Sequence, residues 1–381
     1  MQGGTTGPAA DLLPHLKTCR MHTASRSTLL FALAALLCTI IPHAAAQNGT
    51  ALNLTTGTVG VSLGDSQRTT GLRLNYRDRQ MQWVHGINVT LWSPPYDQTG
   101  GTVNGLALGV PVTGAARISG LAVGAGVGTT NTIAGVAVGA LGLGAGDNLD
   151  GIAVSGLGVG AGGSVRGILV AGLGAGAGED IVGVAASGLG IGSGASVRGI
   201  LVAGVGAGAS ETLTGIGIAG VGLGTGDRLF GVGIAGIGAG TGGGARGLLA
   251  GGVAAGTGGD MMGILAGGLA SGAGGRMTGV MAGGLASGAL QVRGVALGGM
   301  ATGAQDVRGV LVSGGYNRIE EGVMRGVTLA GYNDMRGTQR GLAIGIYNYA
   351  RTLQGVQIGV LNVAQNNPPG FRILPLVNAS F

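Results

Sequence analysis

Apolar and polar positions along this chain repeat as a block. In GILVAGLGAGAGEDIV, residues 167–182, the larger aliphatics include Ile168, Val170, Leu173 and Ile181, and the polar residues are Glu179 and Asp180. The opening glycine recurs at Gly151, Gly167, Gly183, Gly199, Gly215, Gly231, Gly247, Gly263 and Gly279, 16 residues apart without a slip. Counting from this anchor, offset 1 is Ile or Val (Ile168, Val184, Ile200) and offset 3 is usually Val or Ile (Val154, Val170, Val202). Offset 6 is Leu, Val or Ile (Leu173, Leu189, Val205), offset 8 aliphatic or Ala (Val159, Ala175, Ile191), and offset 14 apolar (Val165, Ile181, Val197). Gly105, Gly120 and Gly135 lead into the file, and Gly294, Gly309, Gly326, Gly341, Gly355 and Gly370 lead out of it at spacings of 14–17.

Alternation at offsets 1 and 3 is strand periodicity. Offsets 6 and 8 alternate with the opposite parity, so one straight strand would send them the other way. A corner at the small residues of offsets 4–5 lets all four side chains point into one interior, and glycine suits such a corner because it tolerates close backbone approach. The polar run at offsets 11–13 then closes the circuit. The pattern predicts an all-β fold, a β-solenoid of about 18–20 short coils with 15–16 residues each. A lone coil buries too little to offset the ordering of its own backbone, so coils must stack. At about 4.8 Å per coil, eighteen coils make a rod of roughly 85 Å.

The same repeat fits a second architecture, an antiparallel up-and-down β-barrel of the outer membrane. The chain ends on Phe381 with Val377 and Ile373 at alternating positions before it, and SVRGILVAG at 164–172 recurs 32 residues later. Against the barrel, aromatic residues are only 3%, too few for two interfacial girdles. The connections are uniformly short, and neither face of GILVAGLGAGAG is polar enough to line water.

Composition narrows the picture. With 89 glycines but only 9 prolines and no Gly-X-Y period, collagen is excluded. Charged residues make up 9% and apolar residues 45%, the reverse of a disordered chain. Residues 1–46 read as a leader: Arg26, the apolar run Leu29–Ile41 and Ala44-Ala45-Ala46 make a secretory signal peptide, with Met21 the expected start. Residues 47–104 read as an N-terminal cap with degenerate first repeats, 105–364 as the array, and 365–381 as a C-terminal cap. Both cysteines, Cys19 and Cys38, lie in the leader, so the remaining chain offers no disulfide or thiolate chemistry. Outside the leader stand 18 basic side chains, all arginine, and 14 acidic ones. The arginines are spread singly, which argues against nucleic acid as a partner.

Candidate chemistry is sparse. His85 is the one histidine outside the leader, and nothing marks a serine and an acid to complete a triad with it. The many GxGxxG strings follow from glycine abundance, with no helical period beside them. Asp147, Asp150 and Asp227 recur too irregularly for a calcium-binding nonapeptide. No enzyme, metal site or cofactor is expected. Two groups stand out. Asn333, Asn348 and Asn362 share offset 7, so parallel stacking would make them a ladder. Trp83 and Trp92 fall in the more polar region 47–104, with Pro94-Pro95 in a loop after them, and form a candidate contact patch.

The units GLAIGIYN (341–348) and GVQIGVLN (355–362), the stretch GTVNGLALGV (101–110) and the ending PLVNASF resemble bacterial exported surface-repeat proteins with glycine-rich 14–16-residue repeats of the GxxIGxxN type. The resemblance covers 60–381. It implies export to the outer membrane or cell surface and carries over no catalytic residue. The central units depart from it by replacing most polar positions with Gly and Ala. The expected function is structural: a non-catalytic surface-display rod, with an outer-membrane barrel or a surface binding module as the competing classes. The partners expected are other envelope components or the membrane.

Overall fold

The computed structural model describes residues 51–92 and 100–381; residues 1–46, expected to be a leader and holding both cysteines, and Pro94-Pro95 lie outside the described residues. Each central unit folds as a longer strand and a shorter one, as in Val165–Ala171 and Gly174–Ala177. Both pair in parallel with the equivalent strands of the units before and after. Val165 pairs with Ile181, which pairs with Val197, and Ala175 pairs with Ile191, which pairs with Ala207. Identical offsets are therefore neighbours throughout. The chain is an all-β solenoid of about 17 turns. The barrel is overturned, because a meander would pair adjacent units in opposite senses and here they run the same way. Antiparallel pairing among the described residues is confined to the ends: Ala51–Thr56 covers Val59–Gly64, and Ile373–Ser380 folds back on the last coil.

The anchor glycine is a structural necessity. Gly167 has φ +126°, and a Cβ there would lie under 3.0 Å from the carbonyl oxygen of Gly151 below it. That φ is costly for any residue with a Cβ. The same conformation and contact run in one column from Gly60 to Gly355. Gly370 is off the column. It sits in the connection to the returning strand, with nothing within 4 Å of its would-be Cβ, so the stack ends one unit earlier than the glycine spacing implies.

The interior differs from the expected one. Ile168, Val170 and Leu173, at offsets 1, 3 and 6, are 42%, 38% and 48% exposed. The core is built instead from offsets 2, 4, 8, 10 and 14, as in Leu169, Ala171, Ala175, Ala177 and Ile181, all buried. The reason is the pleat. Alternation continues from Val165 to Ala171 straight through the anchor glycine, so the residues in phase with Val165 face inward. Of the four offsets expected inside, only 8 is inside; 1, 3 and 6 are outside, and offset 14, apolar but assigned to neither face, is inside.

From the coil of Gly151 to that of Gly215, offsets 2 and 8 together hold one large side chain per layer. Leu169 shares its coil with Ala175, Ala185 with Ile191, Leu201 with Ala207, and Gly217 with Leu223, all at offsets 2 and 8. A Cβ on Gly217 would sit 2.9 Å from Leu223 Cδ1 and 3.0 Å from Leu213 Cδ1. Large and small thus exchange sides between these successive layers, which fills space at the density native cores require; the exchange stops at the next coil, where Gly233 and Ala239 are both small and leucines of neighbouring layers close on Gly233. This exchange is the physical content of the 32-residue echo.

Candidate functional surfaces

Three outward surfaces follow from this winding. The first is aliphatic. Offset 1 (Val136, Ile152, Ile168, Val184, Ile200, Ile216), offset 3 (Val138, Val154, Val170, Val202, Ile218, Ile234) and offset 6 (Leu141 to Met300) form exposed columns along the rod. Monomeric soluble proteins rarely leave a contiguous apolar surface of this extent uncovered.

The second surface is bare backbone. Gly174 and Gly176 at offsets 7 and 9 project outward, as do Gly158, Gly160, Gly190, Gly192, Gly206 and Gly208. A Cβ at any of them would meet nothing closer than 3.3 Å, so the coil itself does not demand glycine there.

The third lies at the C-terminal end, where bulky residues take over these outward positions. Tyr316 and Tyr332 stack at 5.2 Å between ring centroids, and Tyr332 and Tyr347 at 4.8 Å edge to face. Tyr332 and Tyr347 line a cleft of about 590 Å³ with Arg318, Glu320, Glu321, Asp334, Arg336, Tyr349 and Arg351. Tyr316 donates its hydroxyl to Asp334 Oδ2 at 2.8 Å, and Arg336 Nε donates to the same oxygen at 3.1 Å. Desolvation, then the Asp334 hydrogen bond, pushes the Tyr316 phenol up to about 12. Burial first, then the Asp334 charge, raises that of Tyr332. The cleft was legible in principle, since Tyr332 and Tyr347 occupy the offset 6 held by leucine elsewhere.

The asparagines stack inside the same end. Asn333 Nδ2 donates to Asn348 Oδ1 and Asn348 Nδ2 to Asn362 Oδ1, both at 2.8 Å, with all three residues fully buried. The file extends beyond the three residues expected. Asn317 Nδ2 donates to Asn333 Oδ1 at 3.2 Å, and Thr302 donates to Asn317. Each amide also reaches a backbone carbonyl, so these are internal structural groups and not surface ligands.

The tryptophans have separate ring partners. Trp83 packs on His85 at 4.6 Å, and Trp92 stacks on Tyr76 at 6.4 Å. Near them lies a polar core that the repeat pattern did not reveal. Arg73 is fully buried, bridged to Asp78 and to Asp65 at 3.1 Å, and donates to Asn88 Oδ1 at 2.9 Å and Ser66 O at 3.0 Å. Asp78 also accepts from Thr90 at 2.5 Å. Arg73 and Asn88 occupy offset 2, which the central coils fill with Leu, Ala, Gly or Met.

No group of three or more His, Cys, Asp or Glu among the described residues is placed to hold a metal ion. No family model, curated protein or solved structure matches this chain.

Proposed function

We propose that this protein is an exported, non-catalytic rod of the bacterial envelope, held at the outer membrane or cell surface, where it spaces or displays. One observation supports this reading above the others: a single parallel ladder runs without interruption from Gly60 to Gly355 and is closed at each end by an antiparallel strand. Such a stack is stiff along its axis, and its stability grows with each neighbour added. The leader and the resemblance to exported surface-repeat proteins argue for the place. The test is epitope tagging at Gly370 followed by antibody labelling of intact cells. Surface labelling is expected; a tag reached only after lysis overturns the placement.

A second reading, a surface binding module, is favoured by the tyrosine-lined cleft. Aromatic faces beside paired carboxylates and guanidinium groups suit a polar ring-shaped ligand such as a saccharide. Affinity electrophoresis in gels cast with envelope polysaccharide tests it: retardation abolished by Tyr332→Ala supports the module, and unretarded migration of the unaltered protein removes it.

A further inference from the structure

We propose that two copies of this chain pair through the aliphatic face, antiparallel, about a two-fold axis that passes between the coils of Gly231 and Gly247. The proposal does not depend on where the rod resides.

Size is the first argument. Between Leu121 and Met300 every residue at offsets 1, 3 and 6 is uncharged and nearly all are aliphatic. At ~4.8 Å per coil and ~3.3 Å per residue this face is about 55 Å long and 15 Å wide, or ~800 Å². That is the area one partner contributes to a standard stable interface.

Relief is the second argument, and it selects a second copy over a bilayer. The offset-3 column is not uniform. Val202, Ile218 and Ile234 stand out, and then Ala250, Ala266 and Ala282 leave the column low until Leu297; these alanines and their glycine neighbours line the first part of an apolar groove of about 890 Å³ that runs on to Leu329. A ridge three coils long thus adjoins a trough three coils long. A two-fold at their junction places Ile234 over Ala250, Ile218 over Ala266 and Val202 over Ala282. One coil further out the chain reverses the sizes, and the same operation still matches them, Ala186 over Leu297. An isologous pair brings each patch onto its own complement twice. A fluid bilayer requires no such relief, and a parallel pair would lay ridge away from trough.

Sedimentation velocity on the purified protein over a hundredfold concentration range reads the association. A dimer is expected. Ala266→Asp and Ile218→Asp, both on outward positions and away from the core, each weaken it by roughly 30-fold or more while leaving the β circular dichroism intact. Register is read by cysteine pairing, since no cysteine exists outside the leader. Ile218→Cys mixed with Ala266→Cys forms a disulfide heterodimer, whereas Ile218→Cys alone, about 14 Å from its own mate at three coils' separation, does not. Three results overturn the proposal: a monomer at every concentration, a monomer captured by phosphatidylcholine vesicles, or a dimer in which Ile218→Cys links to itself. None of them touches the surface-labelling test of the rod.

Discussion

A Cβ on Gly167 would overlap the carbonyl oxygen of Gly151, sixteen residues earlier and one coil below. The contact recurs up the whole column, so the spacing that identifies the repeat also holds adjacent coils together.

Gly167→Ala combines that overlap with a φ of +126°, and it should cost about 3 kcal/mol or more. Gly204→Val meets the Gly188 carbonyl at the corner, again under 3.0 Å, and should unfold with it. Gly174→Ala faces open space and should change stability by no more than about 0.5 kcal/mol. Thermal melts of the three variants check the order; equal melts for Gly167→Ala and Gly174→Ala would show that the anchor column is dispensable.

Leu201→Ala empties the widest point of its layer and should destabilise by about 2–5 kcal/mol. Adding Ala207→Leu restores the volume on the wrong side. Ile191 and Leu223 occupy that side in the coils below and above, so recovery should be partial. Full recovery in denaturant titrations would mean that the side exchange between layers is unimportant.

Asn348→Ala strands one N–H of the Asn333 amide, whose other bond to Ile344 O remains, and the Asn362 side-chain carbonyl in a fully buried file. Each unpaired group costs about 1–3 kcal/mol. Because coils contact only their neighbours, hydrogen exchange should rise in residues 326–364 and stay unchanged near Gly199. Uniform acceleration along the rod is the contrary outcome.

Tyr316 should ionise near 12 in the folded protein, against 10 for the free phenol. A phenol raised on folding contributes stability that is intact below pH 10 and falls as pH rises from 10 towards 12, since the unfolded chain loses its proton first. Asp334→Asn removes the acceptor charge and should bring the tyrosinate absorbance transition back towards 10. A transition unmoved by that change would assign the shift to burial alone.

Much of the fold was legible before any coordinates. In-register glycines and identical turn positions favoured parallel stacking over the barrel, and asparagines at a shared offset met because stacking makes equal offsets neighbours. The unbroken pleat through Gly167 was not legible, nor was the departure of Gly370 from the glycine column. Gly370 keeps the spacing, yet the chain there turns back. The tyrosine cleft and the buried Arg73 cluster also escaped, since each gathers residues from successive coils whose equivalence breaks where the repeat becomes irregular.

Period and the polar character of the two ends were written in the order of residues, because every unit repeats the same local chemistry; the parallel sense of pairing between units, which the residues left open against an antiparallel barrel, was decided by the tertiary structure. Which side of each strand faces inward was decided only in three dimensions. The pleat runs unbroken through the left-handed glycine, so the residues in phase with Val165 turn inward. Leu169, Ala171 and Ile181 are therefore inside, and Ile168, Val170 and Leu173 remain on the outer face.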